Sequence, residues 1–139
     1  KVAILSYGAR LTDALAAADK LAALGLPTTV ADARFAKPID DDLVRRLARE
    51  HELLMTVEEG AIGGFAAAVV DSLTRQKLSD GMAKLMPLYL PDRFIDHDKP
   101  ARQIALAGLD ADHIVARARS ALGLDVPASA RLGTPISAE

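Results

Sequence analysis

The chain opens on an unbroken apolar run, Val2-Ala3-Ile4-Leu5, that stops at Ser6, Tyr7 and Gly8. Beyond it Leu11, Leu15, Ala18, Leu21 and Leu24 recur at helical spacing, which predicts a buried strand followed by an amphipathic helix. Gly25 closes that helix as a C-cap glycine does, Pro27 follows, and the β-branched stretch Thr28 to Ala31 predicts a second strand. Pro38 makes Asp32 to Asp40 a loop. Asp40 is placed to cap the next helix, with Asp41 and Asp42 at the positive end of its dipole, Ile39 stapled to Val44, and Leu43, Val44, Leu47 and Ala48 facing inward. Leu53 to Val57 reads as the third strand. Glu58, Glu59 and the loop Gly60-Ala61-Ile62-Gly63-Gly64 lead from it to a helix with Phe65, Val69, Ser72 and Leu73 on its inner face, widened by Ala66, Ala67 and Val70. Leu78 to Lys84 is a turn, and Leu85 to Leu90 is a fourth strand that Pro87 confines to an edge. Asp92 to Lys99 is a polar loop holding Phe94 and Ile95, Pro100 opens a short helix through Leu106, and Asp110 caps the last helix with Leu109 and Ile114 as its staple.

This alternation defines an α/β fold: a three-layer α/β/α domain on a mainly parallel sheet of four strands, order 2-1-3-4, with Thr28 to Asp32 at one edge. The domain spans residues 1–123. The Pro, Ser, Gly and Ala content from Leu122 onward makes residues 124–139 a loosely ordered tail.

Composition narrows the chemistry more than the fold. Half of the 139 residues are apolar, the net charge is -2, and no Lys/Arg cluster stands out, which argues against nucleic acid and anionic membrane as partners. With no Cys there is no thiol nucleophile, disulfide or zinc ribbon. No apolar run reaches membrane-spanning length and no signal pattern opens the chain, so a cytoplasmic location is expected. Lys1 leads straight into an apolar strand, as in a piece of a longer protein.

The sharpest local feature is the glycine-rich turn after the third strand. Its spacing is neither G-x-G-x-x-G nor a Walker A, and Glu58 and Glu59 stand where a phosphate would sit, which argues against an anion cradle. Two readings remain: a tight turn that lets the helix approach the sheet, or a contact with another domain. The interface candidates are therefore Glu58, Glu59, Gly60, Ile62, Gly63, Gly64 and Phe65. His51, His97 and His113 match no metal-ligand spacing, no Ser sits in G-x-S-x-G, and Asp40, Asp41 and Asp42 read as capping residues. No catalytic, cofactor-binding or metal-ligating residue is identified, although acid/base work by Glu58 or Glu59 stays open.

Four stretches together resemble one family: Ala3 to Gly8; Asp32-Ala33-Arg34-Phe35-Ala36-Lys37-Pro38-Ile39-Asp40; Val57-Glu58-Glu59-Gly60 with Gly63-Gly64-Phe65; and Leu90-Pro91-Asp92-Arg93-Phe94-Ile95. They are similar to the C-terminal domain of the 1-deoxy-D-xylulose-5-phosphate synthases, with transketolase and the β subunits of 2-oxoacid dehydrogenases as broader relatives. Leu90 to Ile95, with Ala107-Gly108-Leu109-Asp110, points more narrowly to the synthases. The resemblance covers Lys1 to about Gly123. It implies a parent enzyme that condenses pyruvate with glyceraldehyde 3-phosphate, using thiamine diphosphate and Mg²⁺ held by upstream domains, to supply isoprenoid, thiamine and pyridoxal synthesis. This chain would bind neither cofactor. Its partners would be those upstream domains and a second subunit of a homodimer, in the bacterial cytoplasm or, for a plant, the plastid. The family's fifth, antiparallel strand would precede Lys1 and leave the Thr28 to Ala31 edge bare, inviting self-association. The rival reading is a free-standing α/β module that binds a small molecule in the crevice above Gly8 and Gly60.

Overall fold

A computed structural model describes residues 1–78 and 81–124. Strand β1 (Val2–Tyr7) is followed by a 3-10 turn over Gly8–Arg10, α1 (Leu11–Ala23), β2 (Thr28–Asp32), α2 (Asp41–Glu50), β3 (Leu53–Glu58), α3 (Phe65–Arg75), β4 (Lys84–Leu88), α4 (Pro100–Ala107) and α5 (Ala111–Ala121). The four strands form one all-parallel sheet, order β2-β1-β3-β4. The order and the α/β/α layering agree with the sequence reading; the tail, apart from Leu124, lies outside the described residues.

Side-chain alternation along the central strands builds two cores. Val2 and Ile4 join Leu53, Met55 and Val57 under α1, α4 and α5, while Ala3, Leu5 and Leu54 face α2 and α3. Both central strands are buried on both faces, which is why they read as continuous apolar runs and not as alternating ones. Each fully buried Leu, Ile or Met contributes about 1.5–3 kcal/mol, so these two layers dominate the stability.

Three strands differ in their bounds from the sequence reading. β1 runs on through Ser6 and Tyr7, and β3 through Glu58, because the ladder pairs Ser6 with Val57 and Tyr7 with Glu58 past the point where the apolar run ends. β4 starts at Lys84 and stops at Leu88; Pro87 sits inside it, tolerated because β4 is an edge. The predicted stripe holds only in part: Leu21 is buried and Leu11 and Ala18 half-buried, but Leu15 and Leu24 are about half exposed, and Ala14 and Ala17 complete the buried face of α1. Ala14 and Ala17 are small enough for close packing between α1, α5 and the sheet, and Leu15 and Leu24 lie toward solvent.

The expected caps form. Asp40 accepts from the Leu43 amide at 2.9 Å and Asp110 from the His113 amide at 2.9 Å. Asp41 does more than complement the dipole: it accepts from the Ser72 hydroxyl at 2.5 Å and from Arg75 Nη2 at 3.0 Å, tying α2 to α3. The Ser72 hydrogen bond, then the Arg75 guanidinium, hold its carboxyl below the usual 3.8. A carboxylate whose pKa is lowered by folding stabilises fully above its unfolded value and loses that contribution as pH falls through the folded one. Urea midpoints should therefore drop on acidification below 3.8, and Asp41→Asn should flatten that part of the profile; an unchanged slope in the variant would show that the clamp is silent.

Candidate functional site

In a sheet of order 2-1-3-4 the connections from β1 and β3 diverge to opposite faces, and the crevice between their carboxyl ends is where open α/β sheets place ligands. Here that crevice is filled from within. The N-cap of α3 is Gly64, which has no side chain to satisfy the helix's first amides. Glu58, the last residue of β3, turns back under the loop, and its two oxygens accept from the Phe65 amide at 2.9 Å and the Ala66 amide at 2.8 Å. The carboxylate is 2 % exposed and takes the position at the positive helix end that an external anion would need.

Gly60 and Gly64 leave room for that carboxylate, whereas Gly63 serves the left-handed backbone at φ 90°. A Cβ at Gly64 would lie 2.5 Å from Glu58 Oε2 and 3.0 Å from the Ala61 carbonyl oxygen, and a Cβ at Gly60 would collide with the same Glu58 oxygen. Gly64→Ala should thus cost about 1–3 kcal/mol by overpacking, read as a lowered urea midpoint. A variant as stable as the parent sequence would mean that the loop relaxes freely around the carboxylate.

Beside Glu58, the ring of Tyr7 stacks on Phe65 with centroids 4.9 Å apart. Arg10 spans the crevice from the β1 side: Nη1 donates to Asp13 Oδ2 at 2.6 Å, and Nε lies 2.7 Å from Glu59 Oε1, an ion pair by distance without a hydrogen bond's alignment. The loop is further pinned by Gly64 N to Ala61 O at 3.0 Å and by Leu90 N to Gly60 O at 2.9 Å.

The seven interface candidates therefore divide. Glu58 and Phe65 are buried and hold the loop; Glu59, Ile62, Gly63 and Gly64 are exposed and Gly60 half-buried, with Ile62 69 % exposed. Glu58 offers no charge to the surface, because both its oxygens are committed to amides. The histidines lie apart: His51 joins the Leu47 carbonyl and Thr29 Oγ1, His113 contacts Asp110, and His97 is exposed in the loop after β4. Among the described residues no three His, Cys, Asp or Glu side chains are grouped to hold a metal, and no helix is long and apolar enough to cross a membrane.

Sequence reasoning missed the role of Glu58 and the partner of Arg10. The signal for the first was present: a helix opening on Gly-Gly-Phe has no local cap, so its amides need an acceptor from elsewhere, and an acidic residue ends the preceding strand. Nothing in spacing connects Arg10 with Glu59.

The domain is thus a parallel α/β/α unit in which the helix start after β3 is capped by the chain's own Glu58 carboxylate. The chain belongs to the transketolase C-terminal domain family, whose profile matches residues 1–114. It is similar to a chain of a split-gene transketolase described as an inactive β4 tetramer, at 30% identity and a TM-score of 0.75 over 91% of this chain and 39% of that one. It shares its fold with transketolase from Pichia stipitis, including a mutant in complex with xylulose 5-phosphate, at 17% identity and a TM-score of 0.62 over 94% of this chain and 18% of the other. A second Pichia stipitis transketolase mutant gives 17% and 0.61 over the same shares. The chain thus spans well under half the length of each.

Proposed function

We propose that this chain is the C-terminal, non-catalytic domain of a 1-deoxy-D-xylulose-5-phosphate synthase, a thiamine-diphosphate-dependent transferase, and that it supports domain docking and dimer assembly. The family match supports the transketolase-type parent, and the stretches Leu90 to Ile95 and Ala107 to Asp110 support the synthase branch. In the parent, thiamine diphosphate would stabilise the carbanion formed on decarboxylation of pyruvate, with Mg²⁺ on its diphosphate. The residues described here do not fit either group. The observation that carries the non-catalytic reading is Glu58: the N-terminus of α3 at the switch point is already capped by an internal carboxylate. No step of the reaction is therefore assigned to this chain.

Its work is contact. Glu59, Gly60, Ile62, Gly63 and Gly64 face outward on a loop held rigid from below, and we assign them to the surface that meets the upstream domains and the second subunit. A transketolase parent is the second reading, favoured by the 30% identity to the split-gene protein; the substrate pair that the longer polypeptide turns over separates the two. Titration calorimetry tests the domain itself. The 139-residue chain is expected to give no saturable heat with thiamine diphosphate and Mg²⁺, and micromolar binding would overturn the non-catalytic reading.

A further inference from the structure

Among the described residues two non-glycine residues hold a positive φ, Arg34 at 59° and Lys77 at 55°. Lys77 has a structural reason. It follows the cap of α3 in a Schellman arrangement, with its amide on the Thr74 carbonyl and the Leu78 amide on the Leu73 carbonyl. Arg34 ends no helix. It sits in a turn where the Asp32 carboxylate accepts from the Arg34 amide at 3.1 Å and the Phe35 amide donates to the Ala33 carbonyl at 2.6 Å, a conformation that glycine or asparagine would adopt at lower cost. The strain returns nothing to the fold, because the Arg34 guanidinium has no hydrogen-bond or ion-pair partner among the described residues. What the turn achieves is presentation: an unpaired cation and, next to it, a phenyl ring 65% exposed.

The two residues join Tyr7, Gly8 and Asp32 in lining an open depression of about 520 Å³ at the carboxyl ends of β1 and β2. Ile62 projects from the loop of β3, the next strand along the same end of the parallel sheet. Both loops are fixed by internal hydrogen bonds, so a partner that covered them would lose little chain entropy in ordering them.

We propose that Arg34, Phe35 and Ile62 form one docking surface, and that its occupant is a neighbouring domain of the same transketolase-type assembly, which presents a carboxylate to Arg34 and an apolar side chain to the depression beside Phe35. The proposal rests on the assembly role given above and adds its surface and the partner's chemistry. The relatives of known structure carry 39% and 18% of their length in the matched part, so most of each such protein lies outside it. An unpaired guanidinium with apolar flanks calls for an acidic partner. A second copy of this edge is the weaker match, since Asp32 gives one oxygen to the turn and Glu59 stands in an ion pair with Arg10.

The test compares the 139-residue chain with the longer polypeptide, using phenylglyoxal modification of Arg34 mapped by mass spectrometry, and sedimentation of Arg34→Gly and Arg34→Glu. Arg34 should react fast in the short chain and be protected in the long one. Arg34→Gly suits the left-handed turn, so it should leave the thermal midpoint of the short chain unchanged or raised, yet weaken assembly of the long one by about tenfold or more, with Arg34→Glu weaker still. Equal reactivity in both proteins, or wild-type sedimentation of Arg34→Glu, overturns the proposal. So does protection that grows with the concentration of the short chain, which would make a second copy the occupant. A wild-type long polypeptide without synthase or transketolase turnover would instead defeat the functional reading, because protection and sedimentation are read without turnover.

Discussion

Glu58→Ala should lower the unfolding free energy of the domain by about 3–5 kcal/mol, since it removes two hydrogen bonds to an ionised acceptor, each worth about 1.5–3 kcal/mol, and strands two amides in a buried site. Among the described residues the Phe65 and Ala66 amides have no other acceptor placed for them, and Gly64 has no side chain to supply one. Against a total of about 5–15 kcal/mol for a domain of this size, the loss takes a large share of the margin. Glu58→Gln keeps the shape and one acceptor but turns an amide group toward a donor, so about half the loss is expected. Urea denaturation followed by circular dichroism measures both. A loss below about 1 kcal/mol for the alanine variant would mean that the helix start finds water instead, and that the carboxylate is incidental.

Ile62→Asp should separate stability from assembly. The side chain is 69% exposed and the loop beneath it is held by other groups, so the 139-residue chain should unfold within about 0.5 kcal/mol of the wild type. If the loop meets the upstream domains as proposed, the same change in the longer polypeptide would place a charge in a desolvated contact and cost about 2–4 kcal/mol of association free energy, with activity falling through that loss. Glu59→Gln should do less, about 1 kcal/mol at most, because it loosens a partly exposed pair with Arg10. Sedimentation run beside kinetics decides. Normal assembly with normal turnover removes the loop from the proposed interface; normal assembly with lost turnover moves it toward the active site and makes Glu59 a candidate catalytic group to be tested by substitution.

What the sequence revealed follows from how local each signal is. Strand order, layering, and the Asp40 and Asp110 caps came from patterns a few residues long, and each was found where the pattern put it. The inner face of α1 misled because leucines at helical spacing outweigh alanines on any hydropathy count, whereas close packing on a sheet selects the smaller residue. The glycine-rich turn was located correctly, but its logic was hidden: Glu58 reaches amides seven and eight positions away, and Gly60 and Gly64 are explained only once that carboxylate is beside them. Arg34 was part of a recognisable stretch and gave no sign of a left-handed backbone, because nothing in an Asp-Ala-Arg-Phe sequence demands one.

The Glu58 carboxylate also changes how the domain should respond to its solvent. A helix start that waits for a phosphate or sulfate is stabilised only to the extent that the ion is present, by RT ln(1 + [L]/Kd). Here the ligand is covalently part of the chain, delivered by the same strand that positions the helix, so saturation is a property of folding and not of concentration. The melting temperature should accordingly be indifferent to millimolar phosphate. In a Glu58→Gly variant, where the tether is cut and the space left open, added formate or acetate should restore part of what was lost, turning an intramolecular contact into a measurable binding isotherm.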